Sequence, residues 1–181
     1  VDDLLSSHVD PKVNDRFAVW LEKMYGKYKA VEPTRGKKHD YLGMVVDFTE
    51  KGKVIIDMVK YVESMIEDFP VKINKVPKSP AAENLLDIGT GKLLDKEKSE
   101  AYHTTVAKGL FLCKRSRPDI QPTIAVLSTR VKSPTESDWK KLIRMLEYLK
   151  GTSKLCLNLK ADNPQVVKWY VDASFAVHPD Y

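Results

Sequence analysis

Ser133-Pro-Thr-Glu-Ser-Asp-Trp-Lys-Lys-Leu-Ile-Arg-Met-Leu-Glu-Tyr-Leu-Lys-Gly151 reads as a helix whose start, buried face and stop are all written in the sequence. Ser133 stands as the N-cap, Pro134 takes the first helical position, where its missing N–H would be unpaired anyway, and Glu136 reaches back to close a capping box. Trp139, Leu142, Ile143, Leu146 and Leu149 recur at steps of three and four and form one apolar stripe. Lys140, Lys141, Arg144 and Lys150 lie mostly elsewhere around the helix, and Gly151 supplies a C-terminal stop. A stripe of that width requires other elements to cover it, so the centre of the fold is expected to be helical.

Upstream, the pattern predicts helices at about 97–114 and 118–131, parted by the basic run Lys114-Arg-Ser-Arg117. Residues 70–95 read as a polar, proline-containing connection, part of it extended over a surface, with Leu85-Leu86 as its clear packing signal. Asp57 can cap a preceding helix whose stripe of Val59, Val62, Met65, Ile66 and Phe69 runs to Pro70. Tyr41-Leu-Gly-Met-Val-Val-Asp-Phe48 and Lys53-Val-Ile-Ile-Asp57 are rich in strand formers and flank Lys51-Gly52, which predicts a hairpin. Nearest the start, Asp10 caps a helix with Pro11 at its first position, a stripe of Val13, Phe17, Leu21 and Met24, and Gly26 as its end. Downstream, Leu155, Leu157 and Leu159 alternate as a strand, Ala161-Asp-Asn-Pro164 turns, and Val166 to Val171 starts a second strand leading to Asp172. These last strands have no visible sheet partners in the sequence and, with the N-terminal one, are expected to be the least stable parts. The whole reads as α+β.

The 181 residues, 43% of them hydrophobic, can build one moderate domain or two small ones. No apolar run approaches the roughly 20 residues that span a bilayer, and the first ten residues lack the basic start of a signal peptide, so the expectation is a soluble, intracellular chain without a membrane partner. Cys113 and Cys156 stand far apart with no zinc-like spacing, which predicts reduced thiols. Of the net charge of +5, residues 105–154 carry eleven Lys/Arg against four Asp/Glu, or +7, leaving −2 for the rest. That local basic charge fits either a solvated helix surface or a nucleic-acid patch. His8, His39, His103, His178 and Asp180 match no catalytic pattern.

Five motifs occur in one order along the chain: Val1-Asp-Asp-Leu4, Tyr41-Leu-Gly-Met44, Ser116-Arg-Pro-Asp-Ile120, Ser133 to Trp139 with Tyr148-Leu-Lys-Gly-Thr152, and Tyr170-Val-Asp-Ala-Ser174. This series resembles the reverse transcriptase to ribonuclease H segment of copia-type long-terminal-repeat retrotransposon Pol polyproteins. The resemblance implies three parts. Residues 1–57 would be the C-terminal part of a palm with a primer-grip-like hairpin, 58–152 a helical thumb or connection, and 153–181 the start of a ribonuclease H-like domain.

The resemblance also implies roles. Asp2 would be a ligand of the catalytic Mg2+ ions and Asp3 its support, because two magnesium ions ~4 Å apart require hard carboxylate oxygens. Lys37 or Lys38 would act near the incoming dNTP and its pyrophosphate, and the sequence does not separate them. Tyr41, Leu42 and Gly43 would be the primer grip, with glycine permitting close approach to phosphate. Lys114, Arg115, Lys140, Lys141 and Arg144 would touch the backbone of an RNA–DNA hybrid or DNA duplex template-primer. Arg117 is read instead as the structural partner of Asp119. Asp172, at a strand end, would be the first metal-binding carboxylate of ribonuclease H. The parent enzyme would polymerise DNA on RNA and DNA templates, as one part of the Pol polyprotein, in the cytoplasm within a virus-like particle or in the nucleus. The alternatives are a non-catalytic basic nucleic-acid-binding module and an inert relic of a retroelement.

In that family the fingers and another metal-binding aspartate precede the Val1 position, and further nuclease carboxylates follow the Tyr181 position. The 181-residue chain alone is therefore expected to give no primer extension in a labelled-primer assay with magnesium. Extension that disappears in Asp2→Asn would overturn this.

Overall fold

Pro134 and Thr135 do not begin the main helix, because they are held in an extended bridge. In the computed structural model, which describes residues 3–88, 91–163 and 165–172, Leu93 bridges Thr135, Leu94 N–H donates to Pro134 O at 2.9 Å and Glu136 N–H to Lys92 O at 3.0 Å. Helix α5 accordingly spans Glu136–Gly151, two residues later than Ser133 as cap would give. Thr135 is the N-cap and Asp138, not Glu136, closes the box: Asp138 Oδ2 accepts from Thr135 N–H at 2.9 Å. Glu136 instead meets Lys98 at 2.8 Å.

The remaining helices are α1 Pro11–Tyr25, α2 Val59–Glu67, α3 Lys96–Cys113 and α4 Gln121–Thr129, with short 3-10 turns at Glu83–Leu86 and Pro118–Ile120. The α5 stripe is buried at Trp139, Leu142, Leu146 and Leu149, joined by Met145, while Ile143 is half-buried. Val62, Met65, Tyr102, Val106, Leu112, Ile124 and Leu127 from α2, α3 and α4 close over it. Tyr102 lies fully inside and donates its hydroxyl to Leu127 O at 2.9 Å, which satisfies the polar end of a core aromatic. Gly109 lets α4 approach α3, since a Cβ there would run into the Ile124 side chain.

The segment expected as one strand over Tyr41–Phe48 is two. β1 Lys38–Tyr41 and β2 Met44–Asp47 pair antiparallel with Tyr41 opposite Met44, so Leu42 and Gly43 form a two-residue turn. Both have positive φ, 50° and 75°, the geometry that matches the twist of a tight hairpin. β3 Lys53–Asp57 follows Gly52 and pairs with β2.

β4, Leu157–Lys160, has a partner after all. It pairs antiparallel with β3, Ile56 opposite Leu157 and Val54 opposite Leu159, giving one four-stranded sheet in the order β1-β2-β3-β4. Leu155 lies before this strand, and residues 166–172 are not a strand and are exposed. The sheet is fixed to the helices by Ser116, whose hydroxyl donates to Ile56 O at 3.1 Å, and by Met44 and Met58 against the core.

Helix α1 has the expected cap, with Lys12 N–H donating to Asp10 at 3.0 Å, and the expected end at Gly26, yet none of its residues is buried. Phe17, Trp20 and Met24 are exposed, the first two stacked on one another. Among the described residues no helix is long and apolar enough to cross a membrane. We expect Leu146→Ala to lower the unfolding free energy by about 2–5 kcal/mol and Phe17→Ala by less than ~1 kcal/mol, as read by urea titration. Equal losses would mean that α1 packs into the core.

Candidate nucleic-acid interface

The Leu42-Gly43 turn is the point where the separate motifs meet. Tyr41 and Leu42 are half-buried and Gly43 is exposed. On one side Leu42 N–H donates to Asp3 Oδ2 at 3.0 Å. On the other, Gly43 faces the Phe111 ring, which a Cβ there would meet at 3.7 Å. Phe111 in turn packs on Tyr61 with ring centroids 5.2 Å apart, and the Arg115 guanidinium lies 3.6 Å over the Phe111 ring while donating to Phe111 O at 3.3 Å. Burial, partly offset by the Arg115 charge, pushes the Tyr61 phenol up, so the ring stays neutral beside the cation. Lys114, next in line, is exposed.

Lys37 and Lys38, inseparable in the sequence, differ in place. Lys38 lies in β1 and pairs with Asp47 at 3.0 Å across the hairpin. Asp47 is held down to about 2 by hydrogen bonds from Thr49 and then from Lys38. Lys37 is exposed and has no ion pair among the described residues.

The cations of α5 divide in the same way. Lys141 is buried and donates to Leu85 O at 3.0 Å and Asp87 O at 2.6 Å, so it holds the 70–95 connection instead of facing outward. Lys150 does the same to Ile73 O at 2.6 Å, and Arg144 reaches Ser79 Oγ at 3.3 Å. A backbone carbonyl that lies over a helix face needs a donor, and a lysine on that face supplies it. Lys140 remains exposed at the mouth of a cleft of about 550 Å³ between this connection and α5.

No protein-family model matches the chain, and no solved structure does. Two curated proteins are similar to it. A transposon Ty5-1 protein of Saccharomyces cerevisiae is 26% identical over 181 residues, 98% of this chain and 56% of that protein. The retrovirus-related Pol polyprotein from transposon TNT 1-94 of Nicotiana tabacum is 29% identical over 147 residues, 78% of this chain and 11% of that polyprotein. The chain is a homologue of retrotransposon Pol polyproteins. It spans about half of the first relative and about a tenth of the second.

In this Pol homologue the acidic positions are unevenly placed. Asp2 lies outside the described residues. Asp172 is exposed, in a segment without strand pairing. Among the described residues no three His, Cys, Asp or Glu side chains gather as a metal site, so Asp3 and Asp172 do not by themselves fit a magnesium ion, which takes about six oxygen ligands. Sequence reading missed Phe111 and Tyr61. Phe111 carried a usable signal, since it precedes Arg115 by four residues and so shares its helix face.

Arg117 has the structural role expected of it. Its side chain is 1% exposed and binds Asp119 through Nε at 3.0 Å and Nη2 at 2.8 Å. Burial opposes ionisation of Asp119, but hydrogen bonds from Arg117 and Tyr148 outweigh it and hold the carboxyl below its usual range. A group whose folded pKa is depressed stabilises the fold above its unfolded value, near ~4, and loses that contribution as pH falls further. We expect Asp119→Asn to lose about 2–4 kcal/mol at pH 7, because it leaves the buried guanidinium without its anion. The variant should also lose less stability than the parent between pH 4 and 2. Parallel acid profiles by urea unfolding would contradict this.

Proposed function

We propose that this chain is the primer-grip and thumb portion of a retrotransposon reverse transcriptase, and that it holds the sugar-phosphate backbone of an RNA–DNA hybrid or DNA duplex template-primer. The observation that supports this best is the corner at Leu42-Gly43, where an exposed glycine faces Phe111 with Arg115 stacked on that ring, and exposed Lys114 adjoins Arg115 in sequence. Glycine allows a phosphate to approach the backbone, and a guanidinium flattened on an aromatic ring offers its donors at fixed height. Contacts of this kind bind backbone without reading bases.

In the complete enzyme Asp2 would bind magnesium, Lys37 would face the dNTP because Lys38 is engaged by Asp47, and Asp172 would open the ribonuclease H site. No catalytic step is assigned to the described residues, since they gather no metal site. Such an enzyme would act with the rest of its polyprotein in the cytoplasm, inside the particle of the parent element, or in the nucleus.

A binding module without catalysis would use the same corner and give the same salt response. We expect duplex affinity of this chain to fall steeply between 50 and 200 mM salt, with Lys114→Ala and Arg115→Ala each reducing the log–log slope by roughly 0.9. Lys141→Ala should leave the slope unchanged and lower thermal stability instead, because its ammonium is bound to Leu85 O and Asp87 O. A flat salt response of the parent chain would sink the nucleic-acid reading.

A further inference from the structure

Leu42 is the one described residue other than glycine with positive φ, at 50°. An L side chain in this left-handed region is strained, so something must hold it there. In a two-residue hairpin turn the first residue's N–H lies outside the ladder and has no partner from the hairpin itself. Here that N–H donates to Asp3 Oδ2 at 3.0 Å, across 39 positions of sequence. Gly43, the second turn residue, faces the Phe111 ring, which an added Cβ would meet at 3.7 Å. The turn is thus held by a carboxylate on one side and faces an aromatic ring on the other.

We infer that Asp3 is a positioning residue that clamps the Leu42-Gly43 turn, so that Asp3 and the backbone-gripping turn move as one unit. This rests on the reading of the turn as a primer grip. Asp3 follows Asp2 directly in the sequence, so its hydrogen bond to Leu42 couples the turn to this acidic pair. The chemistry required of Asp3 is an acceptor oxygen at a fixed place, not a negative charge. An amide oxygen can supply it, which separates this role from that of a metal ligand.

The test is amide hydrogen exchange by NMR on the full 181-residue chain, with Asp3→Ala and Asp3→Asn. Exchange at the Leu42 amide should rise at least about tenfold in Asp3→Ala and stay within about threefold of the parent in Asp3→Asn. Exchange at Leu142 and Leu146 in α5 should be unchanged in both, which shows that the core is intact. Equal Leu42 exchange in all three proteins overturns the clamp, as does a loss in Asp3→Asn equal to that in Asp3→Ala. In the same proteins, affinity for a duplex with a recessed primer should drop severalfold in Asp3→Ala and be restored in Asp3→Asn, with a blunt duplex bound alike by all. If the exchange pattern holds but recessed and blunt duplexes are bound equally throughout, the clamp stands and the primer-grip reading fails.

Discussion

The Arg117 guanidinium is the interaction on which the rest of the fold closes. Its donors reach Asp119 in bidentate form, Thr152 O at 2.9 Å and Thr152 Oγ1 at 2.6 Å, and Tyr148 adds its hydroxyl to Asp119 at 2.8 Å. A charge buried to this degree is tolerable only when it is paired and hydrogen-bonded, and here carboxylate, carbonyl and hydroxyl together engage all three of its nitrogens. The consequence is topological. Arg117 ties the junction of α3 and α4 to the C-terminal end of α5, and its neighbour Ser116 ties the same junction to Ile56 in β3. Only a few residues separate Thr152 from β4, which pairs with β3. Helices and sheet therefore form a closed ring around one buried cation, although β3 and β4 are a hundred residues apart in the chain.

The same economy governs the basic charge. Residues 105–154 carry +7, yet Arg117, Lys141 and Lys150 are turned to carbonyls and a carboxylate of the fold, and Lys108 pairs with Asp68 at 2.6 Å. The outward charge is smaller than the composition implies and includes exposed Lys114, Lys132, Lys140 and Lys154, with Arg115 half-buried. Lysines that hold a loop over a helix do so because an extended loop has no ladder of its own to satisfy its carbonyls. Charge counting cannot distinguish the two populations, since a side chain long enough to snorkel outward is also long enough to fold back.

This is why the sequence was legible in some places and not in others. Helical signals are local, so the stripe Trp139, Leu142, Leu146, Leu149 and the ends of α1 could be read from spacing and caps alone. The start of α5 moved to Thr135 because the bridge to Leu93 comes from a segment forty residues away. The pairing of β4 with β3 and the inward turn of Lys141 are likewise long-range facts. The Leu42-Gly43 turn was hidden for another reason. Leucine is a poor residue for positive φ, so Tyr41–Phe48 read as one strand until the carboxylate of Asp3 and the ring of Phe111 were seen around it. Of the candidate site, Leu42, Gly43 and Arg115 lie around the Phe111 corner, while Lys38 and Lys141 have partners within the fold.

Helix α1 shows the limit of local signals from the opposite side. Cap, first-turn proline, apolar stripe and terminal glycine are all present and the helix forms, but none of its residues is buried. Its polar contacts with neighbouring segments include Arg35 to Asp15 at 2.6 Å, Val31 N–H to Glu22 at 2.6 Å and Ser6 Oγ to Asn14 at 2.9 Å, while Val13 and Leu21 are only half-buried. Exposed ion pairs contribute at most ~1 kcal/mol each, far less than one buried leucine. Burial is thus concentrated around Arg117 and the helical core and falls away toward the N-terminal helix. The Leu42-Gly43 turn sits between them, facing Phe111 on the core side and bound to Asp3 on the N-terminal side. A turn so placed is tied to the N-terminal segment by a hydrogen bond and faces the helical core through an aromatic ring, so it is coupled to both parts at once.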